Sequence, residues 1–189
     1  MKLILTTDFK KGLKIEYKGE PYEIIDFQHV KMQQRAPIVR TKMKNLKTGR
    51  VLEENFLAGE KFEKPQLEEK QMQFLYSQGD SYVFMDMESF DQISISKERI
   101  GDSLYYIKEE ILVNVVYYKG EPLLIQPPMF VELRVKETEP AFKGDTASGS
   151  TKPAKLETGL VVKVPFHIQT GDILKIDTRT GEYIEKVKE

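Results

Sequence analysis

Seven lysines and arginines, and no aspartate or glutamate, fall in residues 31–50: Lys31, Arg35, Arg40, Lys42, Lys44, Lys47 and Arg50. Cations at that density can neutralise phosphate and release its counterions, so the chemistry on offer is nucleic-acid binding. The middle of the stretch, Ile38, Val39, Arg40, Thr41, Lys42, Met43 and Lys44, alternates apolar and basic residues, as a strand with one buried face does. The preceding residues, Tyr22 to Val30, also read as a strand, and Pro37 suits a strand end. A long hairpin follows, with a positive arm and a polar tip at Met32, Gln33, Gln34, Arg35 and Ala36. The same composition also suits a solvated strand whose lysines guard a sheet edge.

Other chemistry finds little support. With zero cysteines there is no disulfide framework, no thiol catalysis and no cysteine zinc site. His29 and His167 both stand in apolar, strand-like runs with no second ligand beside them, so each reads as structural and no metal is expected. No serine sits in a G-x-S-x-G elbow, and no glycine-rich phosphate loop precedes a helix. Glu109 and Glu110 read as ordinary solvation of a turn. Tyr82, Phe84 and Met85 could stack bases, but acidic neighbours would repel phosphate, so core packing is the better reading. Neither an enzyme nor a cofactor is expected.

A hydrophobic content of 40% over 189 residues allows one to three small cores. Nothing resembles a signal peptide or a membrane span, and a cysteine-free chain agrees with a reducing cytoplasm. The net charge of −1 conceals a segregation. Residues 1–64 hold 14 Lys/Arg against 9 Asp/Glu, residues 65–128 hold 5 against 11, and residues 129–189 hold 10 against 10. The basic first third is a candidate nucleic-acid face and the acidic middle third is not.

The elements that must carry these residues are strands. Short runs rich in Val, Ile, Tyr and Phe recur between glycine-containing turns, which is the pattern of an all-β protein built from small barrels. The turn Tyr17-Lys18-Gly19-Glu20-Pro21 returns as Tyr118-Lys119-Gly120-Glu121-Pro122, read as shared turn chemistry. Ser96 reads as the N-cap of one short helix. Pro65, where the charge balance changes sign, and Pro127-Pro128 mark boundaries, giving three consecutive β-domains at 1–64, 65–128 and 129–189. Within the last, residues 140–153 read as a long polar loop, and loops of that length usually work.

Several motifs then make the whole chain resemble the bacterial elongation factor P family. They are Lys152-Pro153-Ala154, Thr158-Gly159, Val164-Pro165, Gly171-Asp172 and Asp177-Thr178-Arg179-Thr180-Gly181-Glu182-Tyr183 in the last domain, with Gly144-Asp145-Thr146 in its loop. Tyr82 to Asp86, Phe27 to Lys31 and Val39 to Lys42 match the earlier domains. The resemblance implies an SH3-like, KOW-type first domain and two OB-fold domains. It implies a cytoplasmic, monomeric partner of the 70S ribosome, lodged between the peptidyl and exit tRNA sites beside peptidyl-tRNA and ribosomal RNA. There it would promote peptide-bond formation and relieve stalling at consecutive prolines, with Lys31, Arg35, Arg40, Lys42 and Lys44 on RNA. Gly144, Asp145 and Thr146 would lie near the codon. The sequence departs from the family at the tip: Gln34 stands where relatives carry a modified lysine or arginine, with Met32 and Gln33 in place of Pro-Gly. That departure keeps open an alternative, an RNA- or ribosome-binding paralogue without polyproline rescue.

Overall fold

Strand alternation decides most of this molecule. The structure, a computed structural model, describes residues 3–31, 33–140 and 151–187. Among these residues, strands predominate, with one four-residue α-helix and two 3-10 segments. No helix among them is long and apolar enough to cross a membrane. The chain forms two compact units, Met1–Glu68 with Tyr117–Leu124, and Glu69–Val116 with Ile125–Glu189.

In the first unit, β1 (Leu3–Leu5), β2 (Lys14–Tyr17), β3 (Glu20–Val30), β4 (Ile38–Asn45), β5 (Val51–Leu57) and β6 (Lys61–Glu63) form one sheet ordered β1-β6-β2-β3-β4-β5. Its core is Ile4, Phe9, Ile15, Tyr22, Ile24, Val39, Met43, Phe56 and Phe62. Phe9 meets Phe27 and Phe56 edge-on, at 6.4 and 6.2 Å between ring centroids. Burying each such side chain contributes about 1.5–3 kcal/mol. The three-residue strands β1 and β6 are too short to show a period, and they exist because they pair with each other.

The second sheet, ordered β11-β10-β7-β8-β9, comprises β7 (Leu67–Gln78), β8 (Ser81–Asp86), β9 (Gln92–Ser96), β10 (Leu112–Tyr118) and β11 (Glu121–Gln126). Helix α1 (Lys97–Ile100) follows β9, and the Ser96 hydroxyl accepts from the Arg99 N–H at 3.4 Å, the expected N-cap. Phe84 is fully buried and Tyr82 lies against Phe74 at 5.8 Å, so this cluster packs a core.

The third sheet, ordered β14-β13-β12-β15-β16, holds β12 (Phe130–Thr138), β13 (Thr151–Leu156), β14 (Val161–Pro165), β15 (Ile173–Asp177) and β16 (Glu182–Lys186). Leu133, Leu156, Val164, Ile168, Leu174 and Ile176 are fully buried in its core. Strand β13 corrects the reading of 140–153 as loop throughout. Its inward positions are Lys152, Ala154 and Leu156, so a lysine hides the apolar alternation. Pro153 is tolerated because β12 pairs with β13 only as far as Ala154, leaving the proline one paired neighbour, in β14.

The repeated turns share their backbone. Lys18 and Lys119 both have φ 50°, followed by Gly19 at 77° and Gly120 at 81°, the two positive values a type I′ turn needs. Their tyrosines differ. Tyr17 is half-buried, whereas Tyr118 is buried within the first unit and its hydroxyl donates to Glu16 Oε1 at 2.6 Å.

Candidate nucleic-acid interface

The positive arm is β3 paired with β4, from Tyr22 opposite Asn45 to Val30 opposite Ile38. A one-residue bulge between Ile24 and Asp26 interrupts the register. Tyr22 and Ile24 face the core before it; after it the inward positions are Phe27, opposite Thr41, and His29, opposite Val39. The bulge thereby turns Asp26 and Gln28 outward, beside the exposed Lys42 and Arg40. His29 is nevertheless exposed, with its ring edge-on to Phe27 at 5.8 Å.

Because β5 pairs on the other side of β4, each outward cation sits in a row of three. Lys44 lies between Glu23 and Val51, Lys42 between Asp26 and Glu53, and Arg40 between Gln28 and Asn55. Positive charge near the base is therefore balanced by carboxylates, while the Arg40 row carries only amides beside its guanidinium. Asp26 also pairs with Lys11 at 3.0 Å, and that hydrogen bond holds its carboxyl below the usual range, with Lys42 adding less. Among the described residues, none of Lys31, Arg35, Arg40, Lys42 and Lys44 joins an ion pair, so the rows differ only in which side chains stand beside the cation. Of the three rows, the Arg40 row alone has no carboxylate beside its cation; the Lys42 row has two and the Lys44 row one.

At the tip, Lys31, Gln33, Gln34 and Arg35 are exposed, while Met32 falls outside the described residues. The Ala58 N–H donates to the Pro37 carbonyl at 2.9 Å, tying the loop's return to the end of β5. Such an arrangement presents amide and guanidinium donors to phosphate or base edges without a competing carboxylate. Gln28 and Asn55 belong to this surface, and sequence reasoning missed both. Counting the β4–β5 hairpin back from Gly49 would have placed Asn55 opposite Arg40, but Gln28 depends on a bulge that leaves no composition signal.

Gly144, Asp145 and Thr146 lie outside the described residues. The segment's flanks are adjacent: Thr138 pairs with Ala154, its hydroxyl donates to the Pro153 carbonyl at 2.9 Å, and Lys152 Nζ donates to the Glu139 carbonyl. The motif 177–183 is a built turn. The Asp177 carboxylate accepts from the Arg179 backbone N–H, Nε and Nη2 at 2.9, 3.0 and 2.6 Å, which pulls its pKa down to about 2. Gly181 has φ 74°, and a Cβ there would lie 3.1 Å from the Tyr106 hydroxyl. No group of three His, Cys, Asp or Glu among the described residues is placed to hold a metal ion.

Three family models match consecutive stretches. Residues 5–62 match the elongation factor P KOW-like domain, 67–125 the elongation factor P OB domain, and 131–186 the elongation factor P C-terminal domain. An elongation factor P from Thermodesulfovibrio yellowstonii is 87% identical over 187 residues, covering 99% of this chain and 100% of its own length. One from Natranaerobius thermophilus is 54% identical, covering 98% and 99%. Among solved structures, eukaryotic translation initiation factor 5A from Methanococcus jannaschii aligns with a TM-score of 0.52 at 20% identity, covering 64% of this chain and 91% of that one, a likeness of fold.

Proposed function

Because this chain belongs to the elongation factor P family and is a translation elongation factor, we propose that it binds the ribosome between the peptidyl and exit tRNA sites. There it promotes peptide-bond formation at consecutive prolines. Its modules are residues 1–64, 65–128 and 129–189, working as a cytoplasmic monomer. The carrying observation is the Gln28–Arg40–Asn55 row, the hairpin's one row of outward side chains around a cation with no carboxylate. Arg40, Lys31 and Arg35 grip RNA of the peptidyl-tRNA and the ribosome, with Lys42 and Lys44 contributing less because carboxylates face them. The tip of Met32, Gln33, Gln34 and Arg35 reaches toward the peptidyl-transferase centre, and Gly144, Asp145 and Thr146 face the codon.

Ribosomal RNA performs the chemistry. Proline's ring fixes its φ and makes it a poor partner in attack geometry. A paired hairpin anchored in a packed core can hold the tRNA end still, and reducing that entropy accelerates a step that needs alignment. Gln34 offers two amide donors and an acceptor, and Arg35 offers five donors in a planar fork. Together they share the work that a modified lysine does in relatives. The test is polyproline synthesis on ribosomes from the same host with unmodified recombinant protein, then with Arg35→Ala and Gln34→Ala. Rescue by the parent that falls in both variants supports the shared tip. Binding without rescue would give the alternative, a paralogue that Gln34 marks.

A further inference from the structure

Phe90 stands where glycine belongs. It occupies the β8–β9 turn with φ 61°, a left-handed backbone that bulky side chains avoid. It is also 67% exposed, the highest value among the large apolar side chains of the described residues. The fold therefore carries backbone strain and an unburied ring at one position, and neither serves the core.

The turn around it is closed. The Asp86 carboxylate accepts from the Glu88 and Ser89 N–H groups at 2.8 and 3.3 Å. The Phe90 N–H donates to the Asp86 carbonyl, and the Asp86 N–H to the Asp91 carbonyl, both at 2.9 Å. Met87 N–H reaches the Gln71 carbonyl of β7 at 3.1 Å, and Asp91 N–H reaches the Ser89 hydroxyl at 3.3 Å. Each bond fixes the backbone from which the ring projects. A partner gaining this ring would pay little ordering entropy, which is what makes a preorganised aromatic an effective anchor.

The surroundings select the partner. The loop 86–91 reads Asp-Met-Glu-Ser-Phe-Asp, three carboxylates and no cation. Asp86 is offset by Lys70 at 3.7 Å, whereas Glu88 and Asp91 are exposed and join no ion pair among the described residues. Phosphate would be repelled here. We propose that Phe90 is a docking anchor for a basic protein surface on the ribosome, one with an apolar pocket for the ring and lysine or arginine around it to meet Glu88 and Asp91. This rests on the ribosome-binding reading above.

The experiment uses the full chain and 70S ribosomes purified from the same host. Phe90→Gly removes both strain and ring, so its Tm should rise by roughly 2 °C while ribosome affinity falls roughly tenfold. Phe90→Tyr should keep the affinity. Glu88→Lys should weaken binding to a basic protein but strengthen it to RNA. With p-benzoylphenylalanine in place of Phe90, irradiation should yield an adduct on a basic ribosomal protein. A falling Tm for Phe90→Gly, unchanged affinity, tighter binding by Glu88→Lys or an adduct on ribosomal RNA would each overturn the proposal. Arg40→Gln separates the two readings: if it weakens binding and Phe90→Gly does not, only the anchor fails. A parent chain that does not bind ribosomes at all defeats both.

Discussion

Replacing Arg40 with glutamine should cost more ribosome affinity, and more salt dependence, than neutralising the whole row beneath it. Taking one cation off a phosphate lowers the slope of log affinity against log salt by roughly 0.7–0.9. Over a fourfold rise in salt, from about 50 to 200 mM, that makes the ratio of parent to Arg40→Gln affinity shrink by roughly 2.5–3.5-fold. The comparison variant converts the Lys42 row to amides throughout, with Asp26→Asn, Lys42→Gln and Glu53→Gln. That row holds two carboxylates against one cation. Neutralising it removes a net negative charge and frees Lys11, which Asp26 holds at 3.0 Å. Binding should therefore hold or tighten slightly, with a slope close to the parent's. Co-sedimentation with ribosomes across a salt series measures both quantities. Equal slope changes in the two variants, or an unchanged slope in Arg40→Gln, would refute the claim that register decides which cation reaches phosphate.

Two further outcomes concern the fold. The Asp177 carboxyl is depressed to about 2 by the Arg179 side-chain hydrogen bonds first and its backbone N–H next, so its stabilisation is full above the unfolded carboxylate range and is lost as pH falls toward 2. Asp177→Asn should lower Tm at pH 6, with the deficit narrowing below about pH 4 and nearly gone by about pH 2, as thermal melts across the range would record. Tyr118→Phe removes the bond to Glu16 and should cost about 1 kcal/mol, or a Tm drop of roughly 2–4 °C at neutral pH. Burial raises the Tyr118 hydroxyl pKa, so its contribution is present below the ordinary tyrosine range and fades as pH rises through the folded value. The gap between parent and variant should therefore narrow above about pH 10, visible in alkaline melts.

Local pattern carried much of this protein. Period-two alternation placed a strand over Ile38 to Lys44, one residue short of β4, with its cations outward, because side chains on a half-buried strand must alternate whatever the strand pairs with. Glycine spacing likewise placed the Lys18-Gly19 and Lys119-Gly120 turns, since a left-handed backbone selects few residues. Pairing across the sheet is a different kind of information. Only the folded chain sets Asn55 and Gln28 beside Arg40, and Asp26 and Glu53 beside Lys42, because the bulge at Ile25 shifts β3 by one residue and reverses every side chain beyond it. Strand β13 stayed hidden for a related reason: Lys152 is buried at an inward position by a bond to the Glu139 carbonyl, so its polarity broke a pattern that the tertiary fold repairs. Tyr118 and Glu16 meet across 102 residues of chain, and Phe90 shows its strain only through its φ. Alternation depends on a residue's own strand, whereas charge compensation, burial of a polar group and backbone strain depend on neighbours that the chain brings together only when it folds.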